Sequence, residues 1–268
     1  MSLLSLRRPF KSQMKLWTGL DSPTIRRREG LFLAEGVKVV TELLQSVWHI
    51  TALLILEENK TRWGTLLEEV PDELEVYCLT GTQWGKLSQD KNPEGIMAVA
   101  AMPRRRTLVD LPESGHIILV YGINNPNNLG ALVRTAHWFG FEALLLSAEA
   151  VDFTNPKVVR TSMGSLFHLP IIPDLDFAAV IPELKKRFLL VATAAKNGLP
   201  PHPCSGSTAL LLGSESHGLP ESMAELADEK WHIPGVGSAE SLSLPQAAAI
   251  MMYECVKGSL SNFHARSS

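Results

Sequence analysis

The sequence predicts an α/β protein in two blocks, the second built on a parallel sheet. Two observations carry this. From His116 onward, short apolar runs alternate with segments of helical spacing, the pattern of a parallel sheet with helical crossovers. Before it, strand-like and helix-like stretches alternate on a smaller scale. Between them lies Met102-Pro-Arg-Arg-Arg-Thr-Leu-Val-Asp-Leu-Pro-Glu-Ser-Gly115, whose prolines, arginine run and Ser-Gly end mark a linker. The division is therefore residues 1–101, a linker over 102–115, and residues 116–268.

In the first block, Leu31–Ala34 reads as a strand. Val37–Gln45 reads as a helix with Val37, Val40, Leu43 and Leu44 on one face. Ile50–Leu56 is a second strand, Trp63–Val70 helical, Glu75–Leu79 a third strand, Thr80–Leu87 a short helix and Gly95–Ala101 a last strand. Together these make a small α/β sandwich of ordinary domain size. In the second block, strands are predicted at 116–121, 143–147, 168–172, 188–194, 208–212 and 230–233. Helices are predicted at 128–139, 156–162, 177–187, 220–227 and 244–257.

A chain of 268 residues with 45% hydrophobic and 20% charged residues is ordinary for a folded protein. The net charge of −3 does not announce a nucleic-acid binder. The distribution is less even. Before Val39 there are eight cations against three acids, a surplus of five, so the remainder carries −8. A basic end on an acidic body suits contact with phosphate, and Arg26, Arg27 and Arg28 are its densest run. A solvated helix face is the alternative for any one of them. Cys78, Cys204 and Cys255 are odd in number and widely spaced, so a reducing compartment, the cytoplasm, is expected. His202 and Cys204 form a near pair without a second pair, so no metal is expected. No apolar run approaches a membrane span.

Three stretches carry chemistry. After the strand at 116–121 comes Asn125-Pro-Asn-Asn128, a turn, then a helix with Leu129, Leu132, Val133, Ala136 and Phe139 on its apolar side and Gly140 as its stop. Asn128 and Arg134 thus sit at the edge where open α/β sheets bind ligands. An Arg there suits a phosphate. The second stretch, Leu210-Leu-Leu-Gly-Ser-Glu-Ser-His-Gly-Leu-Pro220, ends a strand in a loop where Gly213 and Gly218 permit close backbone approach and Glu215 supplies a carboxylate. An ordinary strand-to-helix loop is the alternative. The third is His232-Ile-Pro-Gly-Val-Gly-Ser-Ala-Glu-Ser-Leu-Ser-Leu-Pro-Gln246. Its Gly235-Val-Gly237 nearly spells a dinucleotide fingerprint. The third glycine is missing, and too little chain follows for the required unit, which excludes a nicotinamide or flavin enzyme.

These stretches resemble the motifs of the SpoU (TrmH-like) RNA 2′-O-methyltransferases of the SPOUT superfamily. Every fixed position of the first motif is filled from Asn125 to Gly140. The second fits Gly-Asn/Ser-Glu-x-x-Gly. The third matches at Ile233, Pro234, Gly237, Ser241, Leu242, Tyr253 and Glu254, but Ser243 replaces Asn and Pro245 replaces Ser. In the first block, Arg28–Gly36 and Pro93–Ala100 resemble the L30e-like substrate-binding domain of such enzymes.

The resemblance implies a C-terminal trefoil knot (an exception to the usual absence of knots) and a homodimer. It implies S-adenosyl-L-methionine as cofactor, held near Gly213, Ile233, Pro234, Gly237 and Leu242. Asn128, Arg134, Glu215 and Ser241 would be catalytic, with Arg134 reaching the partner's cofactor. The substrate would be structured RNA, rRNA before tRNA. If Ser243 weakens the bracing that Asn gives its relatives, the enzyme is expected to be active but slower. The alternative is a catalytically weak or inactive SPOUT-fold RNA-binding or ribosome-assembly factor.

Overall fold

A computed structural model describes residues 6–68, 70–215, 217–238 and 241–264. The chain divides into two compact units. The first comprises Met1–Arg104 with Asp152–His168, and the second Arg105–Val151 with Leu169–Ser268.

The first unit contains α1 (Lys11–Gly19), α2 (Pro23–Glu29), β1 (Leu31–Glu35), α3 (Val37–Leu44), β2 (Ile50–Leu56), α4 (Gly64–Glu68), β3 (Val76–Leu79), α5 (Gly81–Trp84) and β4 (Ile96–Ala101). Its sheet has the order β1-β4-β2-β3, with β4 antiparallel to both neighbours and β2 parallel to β3. The central strands β4 and β2 are almost wholly apolar because both faces are covered. Neither α1 nor α2 was predicted. α1 buries only Trp17, whose ring meets Tyr77 edge-on at 5.2 Å, so it shows little apolar periodicity. α2 is one short stretch between Pro23 at its start and Gly30, at φ +65°, after its end.

The second unit begins with β5 (His116–Val120), α6 (Pro126–Trp138) and β6 (Ala143–Ser147). The chain then contributes Asp152–His168, including α7 (Pro156–Thr161), to the first unit, where α7 packs on β1. It returns as β7 (Ile171–Leu175), α8 (Phe177–Leu184), β8 (Leu189–Thr193), β9 (Thr208–Leu212), α9 (Glu221–Ala224), β10 (Glu229–Trp231) and α10 (Leu244–His264). All six strands are parallel in the order β10-β8-β9-β5-β6-β7. Strands β5, β6 and β9 are near-continuous apolar runs, and both faces are buried. From β5 the chain builds outward through β6 and β7, then crosses to fill the other side. The switch falls between β5 and β9, whose ends are level, with Val120 opposite Leu212. Ligands of open α/β sheets bind beyond the strand ends at such a switch.

Boundaries moved where local chemistry competed with periodicity. The strand predicted at 168–172 begins at Ile171, because Ser165–Phe167 is a tight turn. The helix predicted over 220–227 is the single turn α9, and α10 extends beyond 257 to His264.

Arg26 requires a correction. Expected to touch RNA phosphate, it is 1% exposed. Its guanidinium donates to the Leu20 and Asp21 carbonyls at 3.0 and 2.8 Å, to Thr154 Oγ1 at 3.2 Å and to Asp152 Oδ2 at 2.7 Å. A group so committed holds α2 to the segment after β6 and has no donor face for a ligand. Burial alone would raise the Asp152 pKa. The Thr154 hydrogen bonds and the Arg26 charge outweigh it and hold that carboxyl below its ordinary value.

Candidate active site

The site is built from loops at the carboxyl edge of the second unit's sheet. After β5, Gly122 takes φ +63° and its N–H donates to the buried Ser147 hydroxyl at 2.9 Å. Asn125 then caps α6, its side chain accepting from the Asn127 N–H at 2.9 Å. Pro126 sits in the first turn, where no N–H is needed, so the helix starts two residues before the predicted 128. It ends in a Schellman arrangement: Gly140 has φ +71° and the Phe141 N–H reaches the Ala136 carbonyl at 2.9 Å.

α6 buries Leu129, Gly130, Leu132, Val133 and Ala136. Arg134 is exposed and shares a helical line with Asn127 and Trp138, spaced i, i+7 and i+11. Asn128 belongs to a different line. It donates through Nδ2 to Glu215 Oε1, which joins the first loop to the second.

The second loop follows β9. Ser214 and Gly218 exchange backbone hydrogen bonds of 3.1 and 2.9 Å, and Gly218 takes φ +66°. This closes a tight turn that presents Glu215 to solvent. A Cβ on Gly213 would lie 2.2 Å from the Gly218 carbonyl carbon and 2.3 Å from the Leu219 nitrogen. The expected reason for this glycine, room for a ligand, is thus joined by a stronger one, the closure of its own loop. Gly213→Ala is expected to lose about 1–3 kcal/mol of stability by overpacking. Thermal melting beside calorimetric titration with S-adenosylmethionine would show a lower Tm together with lost binding.

The third loop follows β10. Trp231 is fully buried and its indole N–H donates to Glu229 at 2.9 Å. Leu199 brackets the strand end, donating to the Lys230 carbonyl at 2.7 Å and accepting from the His232 N–H at 2.9 Å. Here Gly198 is required, since a Cβ would lie 2.7 Å from the Lys230 oxygen. This segment after β8 was missed from sequence, and Gly198-Leu-Pro200 is the signal it left.

Beyond His232, residues 233–238 make no backbone hydrogen bond among the described residues. Ile233 is half-buried, and Pro234, Gly237 and Ser241 are exposed. Leu242 is 46% exposed and Val236 fully so. The loop therefore offers open peptide groups and uncovered apolar side chains together. Ser241 has no hydrogen bond among the described residues and is not joined to the Asn128–Glu215 pair.

Ser243 has a local role. Its N–H donates to the Gln246 side chain at 3.3 Å and its carbonyl accepts from the Ala247 N–H at 3.0 Å. It stands at the N-cap of α10 in a Ser-x-x-Gln sequence, with Pro245 in the first turn. Ser and Asn cap about equally well. Both bonds run through the Ser243 backbone, so Ser243→Asn and Ser243→Ala are each expected to leave Tm nearly unchanged. Denaturant titration of both variants checks this.

α6 and α10 pack together, with Phe139 and Tyr253 rings 6.1 Å apart. Their outer side leaves Trp138 83%, Tyr253 48% and Ile250 40% exposed.

In the first unit, Arg27 and Arg28 are exposed, Arg28 being paired with Glu29 at 2.7 Å. Arg7 and Arg8 pair with Glu75 and Glu57. Lys11, Lys15 and Lys86 line an open groove of about 610 Å³ with Pro9, Met14, Thr18, Gly19 and Gln83, and among the described residues no acidic one lines it. Lys86 comes from far along the chain, so the sequence could not place it beside α1. Among the described residues no cluster of three His, Cys, Asp or Glu could hold a metal, and no helix is long and apolar enough to cross a membrane.

Comparison with known proteins bears on this geometry. Residues 115–253 match the SpoU rRNA Methylase family, and residues 11–98 match the MRM3-like substrate binding domain. The chain is 31% identical over 248 residues to the 23S rRNA (guanosine(2553)-2′-O)-methyltransferase RlmP of Bacillus subtilis, covering 90% of this chain and 94% of that one. It is 27% identical over 246 residues to a 23S rRNA (uridine(2479)-2′-O)-methyltransferase of Streptomyces viridochromogenes, covering 88% and 86%. Among solved structures, the SpoU methyltransferase AviRb from Streptomyces viridochromogenes in complex with AdoMet superposes with a TM-score of 0.81 at 27% identity, covering 94% of this chain and 99% of that one.

Proposed function

This chain belongs to the SpoU rRNA methylase family, and on that premise we propose that it transfers a methyl group from S-adenosylmethionine to a ribose 2′-hydroxyl of large-subunit ribosomal RNA. The carrying observation is the bond from Asn128 to Glu215, which ties the first two loops together at the switch of the parallel sheet. The test is transfer of labelled methyl from S-adenosylmethionine to purified rRNA, with ribose methylation mapped in cells with and without the protein. Absence of any site that depends on the protein would refute the reading.

The third loop fits the cofactor. Open peptide groups at residues 233–238 suit the edge of an adenine, and Val236 and Leu242 are uncovered apolar neighbours for its faces. Ile233, Pro234, Gly237 and Leu242 would hold it, with Gly213 shaping the facing loop. When bound, S-adenosylmethionine supplies an electrophilic methyl group on a sulfonium.

The protein's own residues must orient the hydroxyl, since a ribose 2′-hydroxyl is a poor nucleophile that has to approach in line. With one N–H committed to Glu215, Asn128 keeps another N–H and its carbonyl for the ribose. Ser241 adds a hydroxyl on the opposite loop. Arg134 clamps an RNA phosphate and the negative charge that develops on the attacking oxygen. A guanidinium is a weak base by ordinary chemistry, so a clamp suits it better than proton removal.

Arg134 lies on the helical line of Trp138, away from its own chain's Asn128. This supports a homodimer through α6 and α10 in which Arg134 serves the partner's cofactor. We read the C-terminal segment as threaded in the trefoil knot of the superfamily, since α10 follows the third loop directly and packs on α6. The reading as an inactive binding factor rests on Ser243, where the carboxamide of the family motif is missing, and the same methyl-transfer assay decides it.

We assign the L30e-like block, residues 1–101, to substrate binding, with 102–115 as linker and the cytoplasm as its compartment. Exposed Arg27 and Arg28 remain candidates for phosphate, and the groove of Lys11, Lys15 and Lys86 joins them. Changing these three lysines to Ser is expected to weaken RNA binding and to flatten its logarithmic salt dependence by up to about 0.7–0.9 per lost phosphate contact. Affinity measured across a salt series checks this, and an unchanged slope would remove the groove from the interface.

A further inference from the structure

Outside the site, two thiols meet. Cys204 lies on the loop before β9, and Cys255 sits well inside α10. Their sulfurs are 2.8 Å apart, and the Cys204 N–H donates to the Cys255 carbonyl at 2.9 Å. Loop and helix are in close contact here, since a Cβ on Gly258 would lie 3.3 Å from Pro203 Cβ. Cys255 is 1% exposed, whereas Cys204 is only half-buried, so Cys204 is the member of the pair nearer to solvent. We propose that Cys204 and Cys255 are a modification site, closing to a reversible intramolecular disulfide when hydrogen peroxide oxidises Cys204.

The two sulfurs are chemically unequal. The hydrogen bond from Cys255, followed by one from Thr208 and then the charge of nearby His202, lowers the Cys204 thiol to a pKa of about 7, against the opposing effect of burial. The same hydrogen bond and burial raise that of Cys255. Cys204 is thus the attacking thiolate and Cys255 the resolving thiol. The Cys204 thiolate attacks one peroxide oxygen. The O–O bond breaks, and the leaving hydroxide takes a proton to become water, which leaves a sulfenic acid. The Cys255 sulfur then attacks the Cys204 sulfur, the S–O bond breaks, and the Cys255 proton leaves with that hydroxide as a second water. Two thiols lose two electrons, and one peroxide is reduced to two waters.

The bond would enclose β9, the second loop, β10 and the third loop in one covalent ring, with Gly213, Glu215, Ile233 and Leu242 inside it. Its main effect is on the unfolded chain, which loses freedom when the ring closes. The oxidised protein is expected to melt about 5–10 °C higher than the reduced one. This readout does not depend on methyl transfer.

The test treats the full chain with hydrogen peroxide, traps remaining thiols by alkylation and maps the peptides by mass spectrometry. A Cys204–Cys255 linkage lighter by two hydrogens is expected, with Cys78 still alkylated and the linkage removed by dithiothreitol. The peroxide-induced rise in Tm should vanish in Cys204→Ser and in Cys255→Ala. The trapping experiment needs only the wild-type chain, so it decides even if a variant folds poorly. Both thiols alkylated after peroxide, a linkage between two chains, or Cys204 driven to the sulfinic acid beside a free Cys255 would each overturn the proposal. A bridge that leaves Tm unchanged would overturn its role as a clamp.

Discussion

Arg134→Ala is expected to lower the rate of methyl transfer by about 10²–10³-fold, the loss typical when a preorganised donor to a developing oxyanion is removed. Cofactor affinity should be untouched, because Arg134 lies on α6 and the cofactor residues lie on the loops after β9 and β10. The substitution is safe for folding: the side chain is exposed, and the apolar face of α6 is formed by its neighbours. Single-turnover methylation beside calorimetric titration with S-adenosylmethionine separates the two effects. A dimer makes a sharper demand. Arg134→Ala mixed with Leu242→Asp should regain activity, because a mixed dimer has one site with an intact Arg134 and an intact cofactor loop from different chains. Leu242 is half-exposed, so its replacement should leave the fold intact. Near-normal turnover by Arg134→Ala alone would end its catalytic assignment. Silence of the mixture would place the arginine and the cofactor loop in the same subunit.

What was legible in the sequence was what repeats along it. The buried strands β5, β6 and β9 are runs with no polar interruption, and α6 carries its cap, proline and terminal glycine in consecutive positions. The three loops could be found because their residues are contiguous. What was not legible depends on residues brought together from afar. Lys86 joins Lys11 and Lys15 only through the fold, and Asp152–His168 belongs to the first unit although its sequence lies deep in the second. Leu199 reaches β10 through two backbone hydrogen bonds that no side-chain pattern announces. Ser243 shows a different limit. It reads as a departure when compared position by position, yet with Gln246 it is a helix start, and only the pair reveals this.

Arg26 is where sequence and structure disagree most, and Arg26→Ala is expected to produce the largest loss of stability. It would strand Asp152, 13% exposed at its side chain, without the guanidinium that neutralises it. Breaking a buried pair by removing one partner typically costs about 3–5 kcal/mol. For a chain of this size that lowers Tm by on the order of 10 °C. Arg26→Lys should recover only part of this, since an ammonium cannot span the Leu20 and Asp21 carbonyls, Thr154 and Asp152 together. The pH dependence follows from Asp152. Its folded pKa is depressed, so its contribution is fully present above the unfolded carboxylate value and disappears as pH falls through the lower folded one. The gap in stability between wild type and Arg26→Ala should therefore be wide at neutral pH and shrink in acid. Thermal melts of both proteins across an acidic pH series measure this directly. RNA affinity of the folded variant, taken at a temperature well below its Tm, completes the test. If Arg26→Ala melts like wild type but binds RNA more weakly, the buried pair is not structural and the phosphate role expected from the arginine run is restored. If it melts early and its folded fraction binds RNA normally, phosphate contact in that run is left to Arg27 and Arg28.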